Sequence, residues 1–184
     1  MPWDPGQVYS PSEDTFLLAA AAVAEVRPGD QVIEVGTGSG YVAAQIRSRS
    51  ASLVTTEINP HAAAAAHARG IDVVRTDLVQ GICGKFDLVL FNPPYLPTEC
   101  DERIDDWFEF ALDGGPSGRS VIARFAQEIR HILAPGGRIL LLISSLTGPE
   151  EVCILFRERG MTAEVVKREA LEGEELLVLR ITEK

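Results

Sequence analysis

The order in which apolar strands and amphipathic helices follow one another is the feature that most constrains the fold of this chain. Short apolar runs typical of buried strands alternate with longer segments whose apolar residues recur at helical spacing. Strands are predicted at residues 31–36, 53–57, 71–75, 86–91 and 138–145, and helices at residues 12–26, 41–49, 60–69, 118–133 and 149–159. Strands that alternate with helices in this way form a mostly parallel sheet with helices on both faces.

The last part of the chain departs from this alternation. Two further strands are predicted at residues 162–168 and 174–181, and only residues 170–173 connect them. So short a connection favours antiparallel neighbours. The sequence therefore predicts an α/β fold with a seven-stranded, mostly parallel sheet that contains one antiparallel strand.

Two irregular segments accompany these elements. Residues 1–12 are rich in proline and are predicted to form an arm that leads to Ser12, the expected N-cap of the first helix. Residues 96–117 form a longer connection than packing requires, and we expect them to lie on the substrate side. With 184 residues, 46% of them hydrophobic, the chain is expected to form one domain over residues 1–184.

Cysteine content and hydropathy bear on the location of the protein. Cys83, Cys100 and Cys153 are odd in number and lack metal-ligand spacing, so we expect reduced cysteines and no metal site. No run of about 18 apolar residues occurs, and no basic segment followed by an apolar one opens the chain, so neither a membrane span nor a secretory signal is indicated. A cytoplasmic protein is the resulting expectation.

The charge of the chain bears on its substrate. Its formal net charge is −10, and no basic tract interrupts the acidic character. Proteins that bind nucleic acid without help need positive surface to displace counterions from phosphates. The composition therefore favours a protein or small-molecule substrate.

A glycine-rich turn follows the first strand. It contains Glu34, Gly36, Gly38 and Gly40, whose spacing differs from the dinucleotide pattern G-x-G-x-x-G. An acidic side chain would repel a pyrophosphate, so a ligand that carries positive charge fits better. For Glu34 alone, a capping or ion-pair role is an equal alternative.

Polar residues also follow the next two strands. Glu57 is placed to accept both hydroxyls of a ribose, and Asp77 and Leu78 suit the amine and the ring of an adenine. Because the carboxyl ends of parallel strands meet at one edge of a sheet, these residues and the glycine turn predict one ligand site.

The tetrapeptide Asn92, Pro93, Pro94, Tyr95 follows the fourth strand. Its prolines make it stiff and prevent a helix from continuing. The Asn92 carboxamide oxygen and the Pro93 carbonyl can accept both hydrogens of a planar NH2 group, on which the Tyr95 ring can stack. A nitrogen held in this way turns its lone pair toward an electrophile. A rigid turn that closes the strand is the equal alternative for the tetrapeptide alone.

Taken together, these residues resemble the motif series of class I S-adenosylmethionine-dependent methyltransferases that act on amino groups. Segments of the chain resemble, more closely, the short archaeal and eukaryotic branch of the HemK-type glutamine methyltransferases. These segments are residues 9–18, 57–60, 76–78, 91–95, 113–119 and 179–182. The resemblance implies a Rossmann-like fold and S-adenosyl-L-methionine as cofactor.

The resemblance also implies a substrate and a partner. The substrate is the glutamine amide of the Gly-Gly-Gln motif in a class-1 translation release factor, and the partner is a small zinc-binding activator subunit in a heterodimer. An uncovered sheet edge at residues 71–75 is the expected place for that partner.

The resemblance implies, in addition, that Tyr9, Thr15 and Asn92 contact the cofactor, with Thr15 near its methionine carboxylate. Packing within the arm is the alternative for Tyr9, and an ordinary place in the first helical turn is the alternative for Thr15.

Two other functions are compatible with the same motifs. A nucleic-acid methyltransferase acting on N6 of adenine or on another exocyclic amine would present a similar planar NH2 group from a flipped base. The acidic composition and the lack of a recognition domain count against it. A cofactor-binding but inactive scaffold subunit is the second alternative, although it would have no use for acceptors that hold an NH2 group.

Overall fold

The computed structural model describes residues 3–98 and 106–184. Within them the strands are β1 Gln31–Val35, β2 Ser52–Glu57, β3 Val73–Arg75, β4 Phe86–Phe91, β5 Leu133–Ser144, β6 Met161–Ala170 and β7 Glu175–Glu183. They form one seven-stranded sheet in the order β3-β2-β1-β4-β5-β7-β6. The strands β1 to β5 pair in parallel, whereas β7 lies between β5 and β6 and is antiparallel to both. The predicted sheet, with its one antiparallel strand, is confirmed.

The α-helices are α1 Glu13–Glu25, α2 Tyr41–Ile46, α3 Pro60–Ala68, α4 Trp107–Phe110, α5 Ser120–Glu128 and α6 Pro149–Arg157. Short 3-10 turns occupy Pro5–Gln7, Ile129–His131 and Ser145–Thr147. The described residues of the arm thus contain one turn, and those of the loop at residues 96–117 contain α4 and a bridge between Leu96 and Asp113. Cys100 lies outside the described residues. None of the helices in residues 3–98 and 106–184 has the length and apolar character that a membrane crossing needs.

Three local predictions need correction. The helix predicted at residues 118–133 ends as an α-helix at Glu128, and β5 begins at Leu133 instead of residue 138. The reason is pairing with β4: Leu133 lies opposite Phe86, and the register then shifts before Arg138 pairs with Leu88. Gly136, with φ of +73°, lets this segment bulge within the strand instead of terminating a helix. Ser12 stands at the N-cap of α1, but its side chain makes no capping hydrogen bond.

Alternate residues of the central strands face opposite layers of helices, as the two-residue period of a strand requires. One layer of the core packs α5 and α6 against the sheet and includes Ile33, Val89, Phe91, Ile139, Phe125 and Phe156. The other layer packs α1 and α2 against the sheet and includes Val32, Leu88, Leu90, Leu140, Leu17 and Val42. The prediction of helices on both faces is therefore confirmed.

The order of the strands fixes where a ligand can bind. The chain runs outward from β1 through β2 to β3 and then returns to place β4 on the other side of β1. Such a reversal opens a crevice beyond the carboxyl ends of the two central strands, because their connections leave in opposite directions. The glycine turn follows β1 and Asn92 follows β4, so both lie at this crevice.

A buried ion-pair cluster closes the opposite end of the sheet. The guanidinium of Arg138, only 5% exposed, donates to Asp30 Oδ2 at 2.7 Å and to Glu25 Oε2 at 3.3 Å. It also donates to the Asp87 carbonyl at 3.0 Å. The cluster thus joins β4 and β5 to the end of α1 and to the segment that enters β1.

We expect Arg138→Met to lower the free energy of unfolding by about 3–5 kcal/mol, because it leaves the buried Asp30 carboxylate without its cationic partner. Urea denaturation followed by circular dichroism measures the change. The matched control is Arg130→Met, whose ion pair with Glu183 is largely exposed and contributes less than about 1 kcal/mol. Equal losses in the two variants would contradict a structural role for the Arg138 cluster.

Candidate active site

The carboxyl ends of β1, β2 and β4 open into a shared cleft. Its lining brings together twelve residues that the sequence nominated from separate motifs. They are Tyr9, Thr15, Glu34, Gly36, Gly38, Glu57, Asp77, Leu78, Asn92, Pro93, Pro94 and Tyr95. Gly40 does not line the cleft. A Cβ at Gly40 would lie 3.0 Å from that of Ala66, so this glycine allows α2 and α3 to approach each other.

Hydrogen bonds to β2 fix the position of the glycine turn beside the cleft. Gly36 and Gly38 have φ of +62° and +55°, a region that residues with a Cβ rarely adopt. The amide of Thr37 donates to the Thr56 carbonyl at 3.0 Å, and that of Gly38 donates to Glu57 Oε2 at 2.8 Å. Apart from Gly38 and its two chain neighbours, no atom of residues 3–98 and 106–184 lies within 4 Å of the position that a Cβ on Gly38 would take. The backbone at Gly38 is therefore accessible to a ligand.

Glu34 lies at the end of β1 and is buried. Its Oε2 accepts hydrogen bonds from Thr37 Oγ1 at 2.8 Å and from the Ala43 amide at 3.0 Å. Burial raises the pKa of this carboxyl to about 8, against the opposing effect of those two hydrogen bonds, and the charge of Glu57 adds to the rise. Glu34 thus caps the first turn of α2 and also lines the cleft, so the two roles considered for it are compatible.

Glu57 ends β2 and fixes the entry to α3. Its Oε1 accepts from the Asn59 amide at 2.9 Å, and burial raises the pKa of the carboxyl. The Asn59 side chain accepts from the His61 amide at 2.8 Å as the N-cap of α3 and donates to the Gln7 carbonyl at 2.7 Å. The N-terminal arm is thereby attached beside the cleft.

The arm is attached on its other side to α4. Gln7 Oε1 accepts from the Trp107 amide at 3.0 Å, and the rings of Tyr9 and Phe108 lie 6.4 Å apart. Tyr9 therefore both packs within the arm and lines the cleft. Among the residues of α4, Trp107 and Phe110 also contribute to the lining.

Asp77 and Leu78 follow β3 and face α5. Asp77 forms an ion pair with Arg124, which the sequence assigns to the polar face of the helix at residues 118–133. Leu78 has φ of +48°, and Arg124 and Val121 join it in the lining. Sequence reasoning missed Arg124 because a basic residue on the polar face of a helix has no distinguishing local pattern.

Asn92 lines the cleft and has one side-chain atom without a hydrogen-bond partner among the described residues. Its Nδ2 donates to Asp14 Oδ2 at 3.0 Å. Its Oδ1 is buried and has no hydrogen-bond partner in residues 3–98 and 106–184. A buried polar atom without a partner is costly, so a ligand that donates a hydrogen bond to Oδ1 would offset that cost.

The backbone beyond Asn92 is held by the glycines of the following loop. The Gly114 amide donates to the Leu96 carbonyl at 2.9 Å. Gly118 has φ of +68°, and a Cβ there would lie 2.5 Å from the Tyr95 carbonyl oxygen. Only a residue without a side chain allows this approach, which keeps the Asn-Pro-Pro-Tyr segment in one position.

Comparison with known proteins agrees with this geometry. A family model described as the methyltransferase small domain matches residues 13–105. Human methyltransferase HEMK2 is 36% identical over 95% of this chain and 89% of its own length. A protein of Methanocaldococcus jannaschii, provisionally named a protein N5-glutamine methyltransferase, is 38% identical over 94% of this chain and 90% of its own length. The chain belongs to the HemK-type methyltransferases.

A solved structure shows the same fold for this methyltransferase. The E. cuniculi Mtq2–Trm112 complex is described as responsible for methylation of the eRF1 translation termination factor. The matched chain is 31% identical to this one, with a TM-score of 0.82. The match covers 97% of this chain and 99% of the matched chain. The class I methyltransferase fold predicted from the motifs is confirmed.

The family and the fold imply use of S-adenosylmethionine, and the cleft of the methyltransferase fits such a ligand. Glu34 and Glu57 are both buried at its wall, and burial raises the pKa of each. A ligand with positive charge would offset this desolvation, whereas a phosphate would add to the repulsion. The open space beside Gly38 lets such a ligand approach the backbone of the glycine turn.

We expect the stability of the methyltransferase without cofactor to fall as pH rises from about 5 to 8. The pKa of Glu34 is about 8 in the folded protein and 4.5 ordinarily, so the folded state keeps a proton that the unfolded chain has released. The loss reaches about 1.4 kcal/mol per pH unit for one such group. Glu34→Gln keeps the hydrogen-bond acceptor but does not titrate, so the dependence becomes shallower. Urea denaturation at pH 5.5, 6.5 and 7.5 measures it.

The matched control is Glu13→Gln, because Glu13 is exposed and its pKa lies below the ordinary value. Glu13 is ionised in both states over this range, so the control should keep the wild-type pH dependence. If Glu34→Gln left the dependence of stability on pH unchanged, this would contradict the raised pKa assigned to Glu34.

Proposed function

We propose that this methyltransferase uses S-adenosyl-L-methionine to methylate the glutamine side-chain amide in the Gly-Gly-Gln motif of a class-1 translation release factor. The observation that carries the proposal is the buried Asn92 Oδ1, which lacks a partner among the described residues and belongs to a residue that lines the same cleft as the glycine turn. The names of the relatives and the eRF1 substrate of the E. cuniculi complex support the choice of acceptor.

The chemistry needs an acceptor pair because an amide nitrogen is a weak nucleophile. We assign Asn92 Oδ1 and the Pro93 carbonyl to the two hydrogens of the glutamine NH2 group, and the Tyr95 ring to its planar face. When bound, S-adenosylmethionine supplies an electrophilic methyl group. Asn92 and Pro93 orient the nitrogen lone pair, and their carbonyl oxygens stabilise the positive charge that develops on the nitrogen. They therefore stabilise the transition state more than the ground state. The nitrogen becomes acidic only as the new bond forms, so no strong base is required.

Residues along the cleft are assigned to the cofactor by the same reasoning. We assign the backbone of Gly36 and Gly38 and the side chain of Thr15 to its methionine end, and Tyr9 to the same region. Glu57 is assigned to the ribose hydroxyls. The Glu57 carboxylate can only accept hydrogen bonds, and the ribose hydroxyls can donate them.

Asp77 and Leu78 are assigned to the adenine. The ion pair with Arg124 uses Oδ2 of Asp77, so we assign Oδ1 to the adenine amine. The Leu78 side chain and Val121 supply apolar contact for the ring. Glu34 acts indirectly, since it caps the helix whose first turn faces the ligand.

A test of this function is methyl transfer by the full chain together with a zinc-binding activator. A release factor and an adenine-containing duplex are offered side by side, and mass spectrometry locates the methyl group. We expect one methyl group on the glutamine of the Gly-Gly-Gln motif. Asn92→Ala should lower turnover on the order of 100-fold or more, because it removes the acceptor, while the cofactor Kd measured by calorimetry changes little.

Each other outcome identifies a different alternative. Methyl on the duplex alone would contradict the proposal in favour of a nucleic-acid methyltransferase. A bound cofactor with no methyl on either substrate would favour a scaffold subunit. Equal loss of turnover and cofactor binding in Asn92→Ala would contradict the role assigned to the asparagine.

We further infer that the activator adds to the edge of the sheet at β3. This strand pairs only with β2 among the described strands, and Val74 within it is 42% exposed. An edge strand offers free backbone groups to a partner. The E. cuniculi relative, which was solved as a complex with Trm112, supports a partner of this kind.

Val74→Glu should weaken the complex with the activator about 10-fold or more, because it brings an uncompensated charge to the interface. Calorimetric titration of the activator measures this. The matched control is Val165→Glu on β6, the other edge of the sheet, where the valine is also 42% exposed. Unchanged affinity in Val74→Glu, or equal loss in both variants, would contradict binding at β3.

A further inference from the structure

Asp14 is a buried acid whose surroundings differ from those of an ordinary first-turn residue. Acids in the first turn of a helix normally face solvent and interact with the helix dipole, as the exposed Glu13 does. Asp14 is only 4% exposed and lines the cleft. It forms no ion pair with a basic side chain within residues 3–98 and 106–184. Its position therefore needs another explanation.

Thr15 and Asn92 donate three hydrogen bonds to the Asp14 carboxylate, and the phenols of Tyr9 and Tyr95 also lie within hydrogen-bonding reach of it. Oδ1 accepts from the Thr15 amide at 2.5 Å and from Thr15 Oγ1 at 3.1 Å. Oδ2 accepts from Asn92 Nδ2 at 3.0 Å. An ionised carboxylate can only accept hydrogen bonds. The Asn92 amide must therefore turn its NH2 group toward Asp14, which directs Oδ1 away from Asp14.

We infer that Asp14 is a positioning residue for methyl transfer, which acts through Asn92 by fixing the orientation of its carboxamide. This inference rests on the proposed function, because a fixed acceptor matters only where a substrate NH2 group must be held. A carboxamide can rotate by half a turn at little steric cost. In the reversed orientation Asn92 would present a donor to the donor hydrogens of the substrate.

The charge of Asp14 adds to this effect. A hydrogen bond to an anion polarises the Asn92 amide and makes Oδ1 a stronger acceptor for a nitrogen that is gaining positive charge. The same charge reaches the two tyrosines of the cleft. Burial, followed by the charge of Asp14, raises the pKa of both Tyr9 and Tyr95, so both phenols stay neutral.

Asp14→Asn tests the inference because the substitution keeps the shape and reverses one hydrogen bond. The Thr15 amide is a backbone donor and cannot reverse, so the new side chain must turn its oxygen toward Thr15. Its NH2 group then faces Asn92, whose carboxamide has to rotate and accept that bond. The substrate now meets a donor. Asp14→Ala removes the carboxylate without forcing this rotation.

The experiment measures kcat and KM for the release factor, together with the cofactor Kd, for the full chain in complex with the activator. We expect Asp14→Asn to lower kcat on the order of 100-fold, with the cofactor Kd within about twofold of wild type. Asp14→Ala should lower kcat less than Asp14→Asn does. A role in packing alone predicts the opposite order, since the isosteric variant preserves packing. Glu13→Gln, one residue earlier, is the matched control for lost charge at the helix start and should keep wild-type kcat.

A double-mutant cycle and a spectrum identify the residue through which Asp14 acts. In an Asn92→Ala background, Asp14→Asn should cause no further loss of turnover. The Asn92 side-chain amide, assigned in a proton–nitrogen NMR spectrum by its disappearance in Asn92→Ala, should shift in Asp14→Asn and stay unchanged in Glu13→Gln.

Three results would overturn the inference: kcat of Asp14→Asn within about threefold of wild type, losses that multiply in the double variant, or an Asn92 resonance that ignores Asp14. A wild-type complex that transfers no methyl to the release factor would instead refute the proposed function. In that case the NMR spectrum would still decide whether Asp14 sets the orientation of Asn92.

Discussion

The parallel pairing of β1 with β4 is the constraint on which the rest of the structure depends. Val35 lies opposite Phe91 in this pairing, so the chain leaves both strands at the same level, toward α2 on one side and into Asn92 on the other. Neither connection covers the crevice between them. Because β2 and β3 extend the sheet on the β1 side in parallel, Glu57 and Asp77 reach the same edge. One topological feature thus brings four separate motifs into one cleft.

The two ends of the sheet handle buried charge in opposite ways. At the end away from the cleft, Arg138 meets Asp30 and Glu25, so each buried charge has a partner of opposite sign. At the cleft, Glu34 and Glu57 are buried with backbone amides and a hydroxyl as their hydrogen-bond donors. Burial without a cationic partner raises the pKa of both carboxyls and makes their ionised forms costly. It also prepares the cleft for a ligand that brings positive charge and hydrogen-bond donors.

The sequence by itself determined the layers of the fold and the main motifs. Apolar runs of strand length and helices of amphipathic spacing record burial directly, so the seven strands follow from the pattern. The antiparallel pairing of the last two follows from the short connection between them. Glycines at positive φ and the Asn-Pro-Pro-Tyr segment are equally local, because backbone freedom and stiffness belong to single residues. The pattern failed at residues 129–137. There the pairing of Leu133 with Phe86 on β4 overrides the helical spacing of the apolar residues.

Only the tertiary structure decided which side chains act on one another in the cleft. Asp14 and Asn92 are 78 residues apart, and Arg124 and Asp77 are 47 residues apart. In the sequence, Asp14 is an acid in a first helical turn, Arg124 is a base on a polar helix face, and Gly40 is one more glycine of the turn. A hydrogen bond between distant segments cannot be recognised from the periodicity of the sequence. It depends on where the packing of α1 and α5 against the sheet brings each side chain. The sequence therefore specified the groups, and the fold specified their partners.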